Sequence, residues 1–182
     1  MSILADTEIR KLCTAPLYFD KKLIEPFSEA VSGGGVISYG LTGAGYDLRL
    51  GPEILIFKNS YGEVINPKKF GDSEYRKRMF DEIKIQEHLA KGYPITIPAH
   101  GYVLGTSLEY IRMPRTLKGR CVGKSTYART GIIVNTTPLE PMWRGHITLE
   151  MSNTTDSWVR VYVNEGIGQV LFFRGEPCET PY

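Results

Sequence analysis

His146-Ile147-Thr148-Leu149-Glu150-Met151-Ser152 alternates apolar and polar side chains without a break. Successive residues of a strand face opposite sides, so Ile147, Leu149 and Met151 are directed into a core. His146, Thr148, Glu150 and Ser152 line the other face. The pattern recurs outward: Val159, Val161 and Val163 alternate with Trp158, Arg160 and Tyr162. Further strands are predicted over 94–98, 102–108, 117–122, 132–135, 158–163 and 170–173. Nearer the N-terminus, 53–57 and 64–65 read the same way. Between Val36 and Gly51, short apolar pieces are punctuated by Gly40, Gly43, Gly45 and Gly51, and Gly33-Gly34-Gly35 reads as a turn. Many short strands between Gly, Pro and Asn turns predict a mainly β chain, a sandwich or distorted barrel, as one domain over 1–182.

Two stretches break the pattern. Residues 6–14 predict a short helix, with Asp6 at the N-cap, Glu8 in the first turn, and Ile9 and Leu12 on one face. Residues 68–92 are densely charged. Met79, Phe80, Ile83 and His88 have helical spacing behind Asp72-Ser73, which predicts a helical insertion. Its basic cluster (Lys68, Lys69, Arg76, Lys77, Arg78) reads as a solvated face rather than a phosphate site.

Composition excludes several classes. The net charge of +2 is too small for a nucleic-acid binder, which concentrates basic residues on one face. No apolar run approaches the roughly 20 residues that span a bilayer. Met1 to Lys11 lacks a basic stretch followed by an apolar one, so a cytoplasmic location is expected. Cys13, Cys121 and Cys178 are too scattered for a disulfide framework. His88, His100 and His146 show no metal-ligand spacing, and the H-x-E of zinc-dependent nucleobase deaminases is absent. Gly123-Lys124-Ser125 lacks the upstream glycine of a P-loop.

The chemistry concentrates in Gly123-Lys124-Ser125-Thr126-Tyr127-Ala128-Arg129, taken with Glu150. Ser125 and Arg129 are four apart, so a helical turn puts them on one face. On that geometry a serine, an arginine and a carboxylate converge on one pocket suited to proton transfer on a polar substrate. By itself, Ser125 at the start of a helix also reads as an N-cap.

Five ordered segments over about 130 residues carry a resemblance. They are Ile37–Leu41 with Gly45–Arg49; Gly123–Arg129 with Gly131–Asn135; Thr137–Pro141 with Trp143–Gly145; Ile147–Glu150 with Ser152–Thr155; and Asn164–Phe173. Together they resemble the dCTP deaminases of the trimeric dUTPase-like superfamily. The resemblance implies a distorted jelly-roll or β-barrel subunit with a few short helices, in a homotrimer with active sites between subunits. It implies zinc-independent hydrolysis of dCTP to dUTP and ammonia, feeding dUMP and dTTP synthesis. Magnesium is expected on the triphosphate, held mainly by its oxygens and water, and dTTP is a candidate inhibitor.

Carried over residue by residue, the resemblance makes Glu150 the catalytic carboxylate, Ser125 the group that orients the attacking water, and Arg129 the cation beside them. Lys124 and the backbone of Ser125, Thr126, Tyr127 and Ala128 match the triphosphate grip. Thr148 and Leu149 flank the base, mainly through backbone groups. Gln169 and Tyr182 match further substrate contacts. Thr136 departs from the pattern by standing where an apolar residue is common.

Two neighbouring chemistries stay open on the same residues. One is a dUTPase or a bifunctional enzyme, although a dUTPase usually lacks a glutamate at the place of Glu150. The other is deamination of a base-modified dCTP. A non-catalytic nucleotide binder fits less well, because Ser125, Arg129 and Glu150 are all present.

Overall fold

The structure, a computed structural model, describes residues 2–15, 22–58, 64–86 and 90–180. His88 and Tyr182 lie outside the described residues. Among the described residues, thirteen strands and three short α-helices follow one another as β1 (Ser2–Ile3), α1 (Asp6–Thr14), β2 (Ile24–Glu25), β3 (Val31–Gly33), β4 (Val36–Thr42), β5 (Gly45–Phe57), α2 (Ser73–Met79), β6 (Phe80–Lys84), β7 (Pro94–Ile97), β8 (Tyr102–Arg112), β9 (Leu117–Gly123), α3 (Ser125–Ala128), β10 (Ile132–Asn135), β11 (Arg144–Asn153), β12 (Val159–Tyr162) and β13 (Gly166–Arg174). Among the described residues no helix is long and apolar enough to cross a membrane.

Eleven strands form one sheet, curled into a half-barrel. Its spine runs β1-β13-β5-β8-β11-β10, while β2 joins β8, β4 and β6 join β5, β3 joins β4, and β9 joins β13. β7 and β12 make a separate pair. Ile147, Leu149 and Met151 enter the core, which also holds Tyr46, Leu48, Leu50, Ile54 and Phe172. Curling requires close backbone approach at the crossings. At Gly166 a Cβ would lie 1.9 Å from the Ser38 carbonyl oxygen, so only glycine admits that contact between β13 and β4.

A buried ion pair ties β5 to β8. Arg49 Nε donates to Glu109 Oε1 at 2.7 Å, and the Arg49 backbone N–H donates to Glu109 Oε2 at 2.9 Å. Asn164 accepts from the guanidinium, which also lies over the Tyr39 ring. Burial raises the Glu109 carboxyl above its ordinary range, although Arg49 pulls the other way.

The fold differs from the sequence expectations at α1, at Val64-Ile65 and in the charged insertion. Ala5, not Asp6, occupies the N-cap of α1, and Asp6 begins the helix within 3.8 Å of Arg10. Val64-Ile65 is exposed and belongs to no strand. Among the described residues the charged insertion is α-helical from Ser73 to Met79, behind an Asp72 cap that accepts from Glu74 and Tyr75, with a short 3-10 turn at Pro67–Lys69 before it. Phe80–Lys84 instead pairs with Glu53–Phe57, because β5 offers open backbone groups that a continued helix could not satisfy. Tyr75, Met79 and Phe80 then pack on Leu55, Phe57, Tyr102 and Leu104.

Candidate active site

β9 ends at Gly123, where the chain turns through Lys124 into α3. The Lys124 N–H donates to the Ile167 carbonyl at 3.1 Å, which pins the corner to β13. Lys124, not Ser125, occupies the N-cap, and it makes no side-chain cap. Ser125 is therefore the first helical residue, and its hydroxyl has no hydrogen-bond partner among the described residues. The N–H groups of Ser125 and Thr126 are likewise without protein partners among the described residues, as expected at a helix start.

Arg129 N–H donates to the Ser125 carbonyl at 3.1 Å, so these residues stand one turn apart with both side chains exposed. Tyr127 points the other way. Its ring is buried and its hydroxyl accepts from the Tyr162 N–H at 3.1 Å, so only its backbone remains for a ligand. Burial raises the Tyr127 phenol well above its ordinary value, which keeps it neutral. The turn out of α3 closes at Gly131, with φ at +82°. A Cβ there would meet Thr155 Cγ2 at 2.2 Å.

β10 then pairs with β11 in a register that sets Asn135 opposite Glu150. Asn135 Nδ2 donates to Glu150 Oε2 at 2.6 Å, a short charge-assisted bond that fixes one carboxylate oxygen. Glu150 is half-buried, Thr148 is exposed, and Leu149 is fully buried, leaving only its backbone for contacts. The nearby Tyr102 phenol is raised by burial and then by the Glu150 charge. The α2–β6 insertion rises on this sheet face, where Arg76, Lys77, Thr106 and Thr148 line a groove of about 500 Å³. It thus walls the neighbourhood of Thr148 as well as presenting charge to solvent.

A second groove, of about 790 Å³, runs between β9 and β10 past Gly123, Arg120, Asn135, Thr136 and Thr137. It runs from the end of β9, at Gly123, to Asn135, the residue that holds Glu150. Thr136 satisfies its hydroxyl on the Cys121 carbonyl at 3.2 Å, so the polar substitution costs no buried hydrogen bond. Burial pushes the Cys121 thiol up to about 11, leaving it a packing residue rather than a nucleophile.

Among the described residues, no hydrogen bond or ion pair joins Glu150 to Ser125 or Arg129 within one chain. The convergence expected from sequence is therefore not a contact inside the subunit. Two residues given no role in the sequence analysis hold predicted ones. Asn135 holds Glu150. Asp47, only 6% exposed, bonds Lys124 Nζ through Oδ2 and Gln169 Nε2, at 3.1 Å, through Oδ1. Gln169 also donates to Thr42 Oγ1 at 3.2 Å. The available signal for Asp47 was a charge set between the apolar Tyr46 and Leu48. For Asn135 it was a register that sequence does not print.

No group of three or more His, Cys, Asp and Glu side chains that could hold a metal occurs among the described residues. Both oxygens of Asp47, the carboxylate beside Lys124, are already taken.

The fold is shared with a solved 2′-deoxycytidine 5′-triphosphate deaminase from Agrobacterium tumefaciens, with a TM-score of 0.61 at 20% identity over 95% of this chain. The present chain spans about half, 48%, of that one. Sequence comparison is more specific. A family model described as dCTP deaminase-like matches residues 3–175. The chain is 45% identical over 183 residues to a dCTP deaminase of Campylobacter concisus, covering all of this chain and 89% of that protein. It is 46% identical over 183 residues to a dCTP deaminase of Acidobacterium capsulatum, covering all of this chain and 90% of that protein. The chain belongs to the dCTP deaminase-like family.

Proposed function

We propose that the chain is a cytoplasmic enzyme that hydrolyses dCTP to dUTP and ammonia without zinc, as one catalytic domain over 1–182. The observation that carries this reading is the Asn135–Glu150 hydrogen bond beside the groove between β9 and β10. The family membership and the names of the relatives support it.

Glu150 takes a proton from water as the water oxygen bonds to C4 of the cytosine ring, and passes that proton to N3. A second proton moves through the same carboxylate from the new hydroxyl to the exocyclic amine. The C4–N bond breaks, ammonia leaves and C4=O forms. Asn135 occupies one Glu150 oxygen and leaves the other for the proton. Ser125 orients the water through its free hydroxyl, and Arg129 faces the developing charge. Lys124 and the unpartnered N–H groups of Ser125 and Thr126 suit phosphate oxygens. Thr148 and Leu149 flank the base, Gln169 contacts the nucleotide, and Tyr182 covers it.

Magnesium held by triphosphate oxygens and water would offset phosphate charge, while the side-chain oxygens of Asp47 stay with Lys124 and Gln169. The exposed Ser125 and Arg129 call for a neighbouring subunit's Glu150 to complete each site, in a homotrimer. Incubation with dCTP, scored for ammonia, dUTP and pyrophosphate, tests the reading. Equal ammonia and dUTP without pyrophosphate is the expected result. Pyrophosphate release points to a dUTPase or bifunctional enzyme, and a higher kcat/KM for a modified cytosine points to that base as substrate. Adding dTTP tests inhibition in the same assay.

A further inference from the structure

Asp47 is a carboxylate near the start of β5, where it faces Gly40 on β4 and Gln169 on β13. A nearly buried carboxylate is costly unless paired, and this one spends both oxygens on the side chains of Lys124 and Gln169. Those two residues come from different elements. Lys124 stands at the N-cap position of α3 and Gln169 lies on β13. Thr42 of β4 takes a further hydrogen bond from the Gln169 amide. One carboxylate thus gathers two residues of the proposed nucleotide site into a single network spanning three strands and the corner of α3.

We propose that Asp47 is a positioning residue for the phosphate end of that site, acting through Lys124. The inference rests on the reading that Lys124 meets the triphosphate. A lysine ammonium has three donors, so pairing with Asp47 leaves two for phosphate oxygens. The Lys124 side chain keeps 12% of its exposure, which leaves those donors an outlet. Anchoring a long, flexible side chain before the nucleotide arrives removes the ordering cost from binding. Without Asp47, Lys124 must be ordered by the nucleotide itself, and the loss falls on KM rather than on the proton-transfer step.

The test compares steady-state constants for dCTP in Lys124→Gln, Asp47→Asn and the double variant. Lys124→Gln is expected to raise KM roughly tenfold. Asp47→Asn is expected to raise KM about fivefold with kcat within about twofold. In the double variant Asp47→Asn adds nothing further, so KM stays within about twofold of Lys124→Gln alone. A further multiplicative rise in the double variant would overturn the proposal, because Asp47 would then act independently of Lys124. So would an unchanged KM in folded Asp47→Asn beside a raised KM in Lys124→Gln. An unchanged KM in Lys124→Gln removes the phosphate role of Lys124 itself, and the proposal with it. Should Asp47→Asn alone fail to fold, the double variant still decides against Lys124→Gln, since it leaves no stranded charge.

Discussion

Replacing Asn135 with alanine removes the side chain that, among the described residues, grips Glu150 at 2.6 Å. Hydrogen bonds to charged groups contribute about 1.5–3 kcal/mol, and the exposure of Asn135 puts this one at the low end. At about 1.4 kcal/mol per decade, kcat is expected to fall roughly tenfold. KM for dCTP is expected to stay within about threefold, because the bond acts on the proton-transfer group and not on the phosphates. Stability is expected to fall by no more than about 1.5 kcal/mol, the low-end contribution of the bond itself, since Asn135 is exposed at the end of an edge strand. Steady-state release of ammonia, with a urea melt as control, measures all three. A kcat within twofold of the parent in a fully folded variant would refute the idea that Asn135 orients the carboxylate. A tenfold rise in KM at constant kcat would move Asn135 from the reacting end to substrate binding.

Three further outcomes are expected. Glu109→Leu strands the Arg49 guanidinium, whose side chain is 12% exposed, and should cost about 3–5 kcal/mol in urea denaturation. Adding Arg49→Met should recover much of that, and a further loss would show that the pair is not the cause. Gly131→Ala must adopt a left-handed conformation and clash with Thr155, whose hydroxyl is bonded to Asn153 and Ser157 and resists rotation. It should lose about 2 kcal/mol or more of stability, and kcat/KM with it through α3, whereas a parental melting curve would exclude strain at this turn. Burial pushes the Cys13 thiol from 9.0 up to about 12 and the Cys121 thiol up to about 11. The folded chain therefore holds these protons longer, so their contribution is complete below pH 9 and is lost as pH rises towards 11–12. The loss is about 1.4 kcal/mol per thiol at pH 10, and Cys13→Ala should flatten the slope of urea stability between pH 9 and 10.5.

Periodicity made β11 legible, because one buried face forces strict alternation and a one-residue slip would expose Ile147, Leu149 and Met151 together. The helix over 6–14 was legible from its acidic first turn and apolar face. β6 was not, since Met79, Phe80 and Ile83 keep helical spacing and only pairing with β5 makes Phe80–Lys84 extended. β5 itself read as separate pieces because Gly51-Pro52 looks like a break. Instead, the chain runs through it as one strand whose register against β8 shifts between Leu50 and Ile54.

The site divides along the same line. Ser125 and Arg129 could be set on one face from a spacing of four. The Asn135–Glu150 partnership depends on cross-strand register, and the Asp47–Lys124–Gln169 network on strands far apart in sequence. Ser125 and Arg129 do not reach Glu150 within one subunit, and helical spacing carries no information about distance to a strand face.

The central claim is that one half-buried carboxylate carries both protons of the deamination. Glu150→Gln keeps the size and the polar character of the side chain and removes its capacity to accept a proton. Ammonia release from dCTP should fall by roughly 10²–10⁴-fold, while calorimetric affinity for dCTP stays within about fivefold. Turnover near the parental rate in that variant, with dCTP bound as tightly as before, would contradict the account.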